Sequence, residues 1–391
     1  MASSNLQGQR LLALDIEAFA RFVKDYYACD PVLLHRPVFN GNEKAYLNEC
    51  IDSNFVSSVG AKVTEFERKI EAFTGAKHAV ATVNGTAALH IALQLAGVSA
   101  DTEVITQAVT FSATCNAISY TGAKPVFVDV DRETLGMSPD ALRNFLQARA
   151  VMKDGKTVNR RSGRSFSACL PMHTFGHACR IGEIAAICLE YGIPLVEDAA
   201  ESLGSYHGGK HTGTYGALGT FSFNGNKIIT TGGGGMLVTD DPRLAALAKH
   251  LTTTAKIPHP FEYVHDMIGY NYRMPNLNAA LGCAQMEQLE GFLAKKRELA
   301  ERYAGYFESQ EVTFVKEPAG SRSNYWLNAV ILDSLSQRNE FLAYTNQNGV
   351  MTRPIWKLMN KLEMFRACEH DGLENSDWLE DRVVNIPSSV P

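Results

Sequence analysis

The chain has 391 residues, 45% of them hydrophobic and 20% charged, the balance of an ordinary globular protein of two or three domains. A net charge of −5 argues against nucleic acid or an acidic membrane surface as a partner. Eight scattered cysteines without a CxxC pair, a start that lacks a signal-peptide layout, and no apolar run near the roughly 18 residues needed to cross a bilayer give the expectation of a cytoplasmic protein.

Over residues 11–28, LLALDIEAFARFVKDYYA carries apolar residues at helical spacing and predicts an N-terminal amphipathic helix, followed by a linker over 31–42. In KVTEFERKIEAFTG, Val63, Phe66, Ile70 and Phe73 form one helical stripe that Gly75 ends. Short β-rich runs then alternate with helical segments. HAVATV, EVITQ, KPVFVDV, SACLPMH and IPLVED read as strands, and TAALHIALQLAG, SATCNAISYTG, SPDALRNFLQARA and RIGEIAAICLEYG as helices. Strands this apolar, separated by helices, predict a mainly parallel sheet covered on both faces. GTFSFN and GMLVTD read as two further strands, and residues 151–165, with five basic side chains, as a solvated loop. From Asn276 to about Phe307 the pattern is helical, and the remainder reads as a smaller α+β unit. The expected division is an N-terminal helical extension (1–36), a large domain (37–275), and a long helix with a small C-terminal domain (276–391).

The stretch FSFNGNKIITTGGGG, residues 221–235, places Lys227 in an otherwise uncharged run ahead of four glycines. A phosphate-gripping P-loop needs its glycines before the lysine and Ser or Thr directly after it; here the order is reversed. A dinucleotide fingerprint fails too, because the glycines lead into another strand. Two other segments give the lysine a context. IPLVEDAAESLG puts Asp198 at a strand's C-terminal end, where open α/β sheets place ligands. VNGTAALHIAL opens a helix with Gly-Thr, whose free N–H groups suit a phosphate. A phosphate site, a carboxylate and a separate lysine are the parts needed to hold pyridoxal phosphate. Each signal alone has an ordinary reading: a surface lysine, a loop carboxylate or helix cap, and a common helix start.

Together, GTAALHIAL, VEDAAESLG, GTFSFNGNKIITTGGGGMLVTDD and GYNYRMPNLNAALG resemble, in this order, the motifs of the DegT-type nucleotide-sugar aminotransferases. The likeness runs from about Pro37 to the C-terminus. It implies an α/β, fold-type I pyridoxal phosphate transferase. Its large domain would have a mainly parallel mixed sheet covered by helices, beside a smaller C-terminal α+β domain. It also implies roles for residues. Lys227 bonds covalently to the cofactor and moves protons, while Asp198 pairs with the pyridine nitrogen and Ala200 packs under the ring. Thr86 and Ala87 bind phosphate through their amides with Ser222 adding a hydroxyl, and Phe111 stacks on the ring. Asn271 reaches the phosphate of the neighbouring subunit, so the resemblance implies a homodimer with shared sites. Phe111, Ser222 and Asn271 taken singly also suit core packing, a satisfied strand hydroxyl and a turn.

Glu201 departs from the family, standing where many members carry Gln or His beside the cofactor's ring oxygen. A carboxylate there needs either a proton or a cationic neighbour. His173, His177 and Cys179 lie close together in MHTFGHAC, but one such cluster without a second ligand group is weak for zinc, and no metal is expected. The expected activity is transamination of a nucleotide-linked keto sugar with L-glutamate as donor. SNYWLNAVIL, VMTRPIWKLM and NGNKIITTGGGG are most similar to the branch that aminates C4 of UDP-4-keto-6-deoxy-N-acetylglucosamine, with Arg353 and Lys357 as candidate ligands of its diphosphate. The alternatives are a dTDP- or GDP-linked keto sugar aminated at C3 or C4, a pyridoxamine-dependent dehydratase, against which Lys227 argues, and a non-catalytic cofactor- or sugar-binding regulator.

Overall fold

The computed structural model describes residues 13–391. Helix α1 (Ile16–Tyr27) begins after Asp15, whose carboxylate accepts the Ala18 N–H at 2.9 Å. It covers the later part of the expected helix; Leu11 and Leu12 lie outside the described residues. Its Phe19, Ala20 and Val23 are buried in one cluster with Leu299, Tyr303, Phe307 and Phe341. Burying a Phe or Val side chain contributes about 1.5–3 kcal/mol, so tertiary packing rather than propensity holds α1. The sequence reading has no counterpart for α2 (Glu43–Asp52), which buries only Glu43 and Cys50 and so shows no apolar stripe. Glu43 accepts from the side-chain amides of Gln285 and Gln288, both at 2.7 Å, and these polar contacts tie the helix down. In α3 (Ala61–Thr74), Val63, Phe66 and Ile70 are buried as the stripe predicts, and Gly75 ends the helix at φ 78°.

The chain then alternates through β1 (His78–Thr82), α4 (Gly85–Leu95), β2 (Thr102–Gln107), α5 (Ser112–Tyr120), β3 (Lys124–Val128) and α6 (Pro139–Arg149). A hairpin of β4 (Ala150–Lys153) and β5 (Lys156–Asn159) replaces much of the expected loop. Its anchor is a polar one that hydropathy does not reveal. The Asn159 amide is fully buried and donates to Glu103 at 2.9 Å and to Glu369 at 2.8 Å. Next come β6 (Ser165–Leu170), α7 (Ile181–Glu190), β7 (Val196–Asp198), a short hairpin of β8 (Tyr206–His207) and β9 (Lys210–His211), β10 (Leu218–Ser222) and β11 (Gly235–Thr239).

Strands β1, β11, β10 and β7 lie side by side in that order, and β6, β2 and β3 continue beyond β7 through the parallel bridges Cys169–Leu195 and Met172–Asp198. Only β11 pairs antiparallel to its neighbours in this series, which makes the sheet mixed and mainly parallel. All six residues of β2 are buried, which is why the strand shows no alternation in sequence.

Past α8 (Pro242–Thr252) and the exposed hairpin of β12 (Lys256–Ile257) and β13 (Val264–His265), the expected long helix is two helices, α9 (Asn276–Met286) and α10 (Leu289–Phe307). The break falls at Glu287, whose carboxylate takes Tyr46 Oη at 2.6 Å and Asn42 Nδ2 at 2.8 Å. The C-terminal portion adds β14 (Thr313–Phe314), β15 (Ser321–Arg322), β16 (Asn328–Ile331), α11 (Leu335–Gln347), β17 (Arg353–Pro354), α12 (Glu374–Glu380) and β18 (Val383–Ile386). Strands β14, β16, β18 and β17 form an antiparallel sheet whose core is shared with α1, α10 and α11. No helix among the described residues is long and apolar enough to cross a membrane.

Candidate active site

The C-terminal end of β7, the first turns of α4 and α5, and the segment between β10 and β11 converge on one cavity of about 300 Å³. Asp198 ends β7 and is 2% exposed. Thr114, in the first turn of α5, donates its hydroxyl to Asp198 Oδ2 at 2.7 Å, and the Ala200 N–H reaches Oδ1 at 3.2 Å. Burial raises the Asp198 carboxyl above its usual range, opposed by these two donors and by the Lys227 and His173 charges.

Helix α4 starts at Asn84, whose side-chain oxygen accepts the Ala87 N–H at 2.8 Å. Ala87 is therefore committed to the helix cap and does not line the cavity, whereas Gly85 and Thr86 do. Their N–H groups belong to the first turn and have no intrahelical acceptor, so they remain open to an anion. Ser222, the last residue of β10, closes the other side. A Cβ on Gly85 would sit 2.9 Å from Ser222 Cβ, so glycine permits this approach of strand to helix.

The glycine run after Lys227 has the same purpose. At Gly235 a Cβ would meet the Asn84 carbonyl oxygen at 2.3 Å, so β11 can lie against the start of α4 only without a side chain there. The connection from Asn224 to Gly234 is closed at its base by bonds from Phe223 N–H to Gly234 O and from Thr231 N–H to Phe223 O. Trp326 fastens the middle, donating its indole N–H to Asn226 O at 2.7 Å. Lys227 Nζ consequently projects into the cavity, 3.9 Å from the Trp326 ring centroid and 3.3 Å from Glu201 Oε1. Phe111, which precedes α5, leaves 54% of its surface exposed at the cavity edge, 6.4 Å from the Trp356 ring. Ala200 and Glu201 complete the lining from the turn after β7.

Besides Ala87, three expected residues lie elsewhere. Asn271 is exposed and pairs with Thr253 outside the cavity of its own chain. Arg353 donates to Asn346 Oδ1 and Thr352 O, each at 2.9 Å, and Lys357 is paired with Glu380 at 3.1 Å. Neither of these cations lines the cavity. His173 and His177 diverge: His173 bonds to Glu197 at 3.0 Å, while the His177 ring meets Tyr325 edge-on at 5.4 Å. Sequence reasoning missed Thr114, Trp326 and Trp356. Only Thr114 had a local signal, three residues after Phe111 at the start of a predicted helix.

The arrangement suits pyridoxal phosphate. A half-exposed aromatic ring, a buried carboxylate, open amides at a helix start narrowed by Gly85 and Gly235, and a lysine face the same space. Comparison with known proteins agrees. The family model of the DegT/DnrJ/EryC1/StrS aminotransferases matches residues 38–391. The GDP-perosamine synthase of Escherichia coli O157:H7 is 36% identical over 357 residues, covering 91% of this chain and 92% of that protein. EpsN of Bacillus subtilis, assigned as a pyridoxal phosphate-dependent aminotransferase, is 37% identical over 337 residues, covering 85% and 84%. The aminotransferase TlmJ of Streptoalloteichus hindustanus superimposes with a TM-score of 0.83 at 26% identity, covering 91% of this chain and 93% of that one. That synthase is named for a GDP-linked sugar, so the likeness to the UDP-sugar branch that the sequence suggests is not what these relatives display. The chain belongs to the DegT/DnrJ/EryC1/StrS family and is a pyridoxal phosphate-dependent sugar aminotransferase.

Proposed function

We propose that the protein transfers the amino group of L-glutamate to C4 of a GDP-linked keto sugar. The observation that carries the reaction type is the convergence of Lys227, Asp198 and the α4 start on one cavity. Support for GDP comes from the relatives in Escherichia coli and Vibrio cholerae, 36% and 34% identical, whose names are GDP-perosamine synthase. Pyridoxal phosphate supplies an aldehyde that bonds to the amino group and a protonated ring that draws electrons from the substrate carbon.

The chain's own residues do the rest. The Gly85 and Thr86 amides and the Ser222 hydroxyl would hold the phosphate, at a helix start fixed by the bond from Ala87 N–H to Asn84. Phe111 and Ala200, which both line the cavity, would contact the ring. Asp198, fixed by Thr114, keeps the proton on the pyridine nitrogen, where a neutral side chain would let it go. Lys227, whose Nζ projects into the cavity, would hold the cofactor's aldehyde carbon and would move a proton at Nζ to and from the donor's Cα. Asn271 serves the site of a second copy, since it lies at the surface and away from its own cavity. The nearby exposed Phe261, Tyr263 and Ile268 offer apolar area for that pairing.

The test is kcat/KM with GDP-, UDP- and dTDP-linked 4-keto-6-deoxy sugars, glutamate as donor, and products read by mass spectrometry. A GDP preference of tenfold or more is expected. An equal preference for a UDP or dTDP sugar would overturn the nucleotide assignment and leave the transaminase in place.

A further inference from the structure

Glu201 is built into place with unusual care for a lining residue. It is 3% exposed, and its Oε2 accepts the Phe175 N–H at 2.9 Å. Phe175 is a buried residue at φ 57°, a left-handed conformation that is costly for a side chain of this size. The following Gly176 lies at φ 96°, where a Cβ would meet Asn324 Oδ1 at 1.9 Å. Asn324 in turn donates its amide to the backbone carbonyls of Glu201 and Leu203, both at 2.9 Å. Two segments distant in sequence thus clamp both ends of the residue, and the remaining carboxylate oxygen is left 3.3 Å from Lys227 Nζ.

We propose that Glu201 is a catalytic residue of the transamination, an ionised carboxylate that stabilises the positive charge Lys227 acquires while it carries the substrate's Cα proton. The inference rests on Lys227 being the proton-carrying lysine. As the Cα–H bond breaks, its electron pair stays on the substrate side, and an N–H bond forms at Nζ. The neutral amine becomes an ammonium. When the proton leaves Nζ for the accepting carbon the charge vanishes again, and Glu201 changes its own protonation at neither step. A charge so close in a buried site favours the ammonium more than a Gln or His could. The charged groups facing Glu201 are Lys227, from the segment after β10, and Asp198, from the end of β7. Burial pushes the Glu201 carboxyl up to about 7, opposed by Lys227 and the Phe175 N–H and reinforced by Asp198. It is therefore charged above that pH and neutral below it.

Two readouts test this. In the full-length chain freed of cofactor, acylation of Lys227 by acetic anhydride is followed by peptide mass spectrometry at pH 8. The reagent takes only the neutral amine, so Glu201→Gln is expected to label at least about tenfold faster than wild type, and Glu201→Asp, which keeps the charge, to fall between them. Labelling within twofold would overturn the pairing. In the holoenzyme, the half-reaction with glutamate is followed by cofactor absorbance across pH. The wild-type rate is expected to fall towards acid as Glu201, whose carboxyl burial raises, takes up a proton. Glu201→Gln should lack that limb and be slower at pH 8 by at least about tenfold. A wild-type limb retained in Glu201→Gln would overturn the catalytic role even if labelling changes. A wild type inert towards every amino acid would instead refute the transaminase reading, while the labelling still decides the pair.

Discussion

Replacing Gly235 by alanine puts a methyl group against backbone rather than against a side chain that can swing away. Its contacts would be 2.3 Å to the Asn84 oxygen, 2.4 Å to the Asn84 carbon and 2.7 Å to the Gly85 nitrogen. Ordinary contact starts at 3.4 Å, so the two segments must part by 3.4 − 2.3 = 1.1 Å. Strand β11 is paired with β1 on one edge and β10 on the other, which leaves the first turn of α4 to yield. Overpacking of this kind costs about 1–3 kcal/mol. The same movement carries the Gly85 and Thr86 amides off the phosphate, and the loss of about 1.4 kcal/mol there is a tenfold weaker cofactor affinity. The assays are urea unfolding of the cofactor-free chain and a fluorescence titration with pyridoxal phosphate. Gly233→Ala is the control, because its nearest neighbour is Val83 O at an unforced 3.8 Å; its stability should stay within about 0.5 kcal/mol of wild type. Gly235→Ala with wild-type affinity would show that the glycine run does not shape the phosphate cradle.

Two further outcomes follow from the site. Asp198→Asn keeps the shape and the Thr114 contact but not the charge; stopped-flow measurement of the glutamate half-reaction should slow by about 100-fold or more, with a smaller loss of cofactor affinity. An unchanged rate would make Asp198 a structural residue. Mixing Lys227→Ala chains with Asn271→Ala chains should restore part of the activity, because one of the two sites in a mixed dimer is then intact. No recovery, with subunit exchange shown separately, would place Asn271 outside the partner's site.

What was legible in the sequence is what local chemistry encodes. The α3 stripe, the Gly75 stop, the alternation of strands and helices, and a carboxylate at a strand end are all short-range patterns, and each appears in the fold. Elements held by buried polar contacts were not legible. Helix α2 hangs on Glu43, the β4–β5 hairpin on Asn159, and the break between α9 and α10 on Glu287. None of these changes the apolar periodicity. The cavity shows the same limit. Lys227, Asp198, Thr86, Ser222, Phe111, Ala200 and Glu201 line it, as the order of motifs suggests. Trp326 and Trp356 arrive from a part of the chain a hundred residues beyond the lysine, a placement only tertiary packing decides. Ala87 is diverted by Asn84, a cap visible in sequence as the residue before Gly-Thr. Arg353 and Lys357 are positive residues whose partners, Asn346 and Glu380, could not be inferred from spacing.

Transamination at this site requires the cofactor to bond to Lys227. Borohydride reduction of the holoenzyme fixes any such carbon–nitrogen bond, and peptide mass spectrometry then locates it. The cofactor mass is expected on the peptide containing Lys227 alone, and absent from Lys227→Ala, which also loses the visible band and turnover. The mass on any other lysine, such as the fully buried Lys296 that donates to Trp326 O at 3.0 Å, would rule out Lys227 as the bonding residue.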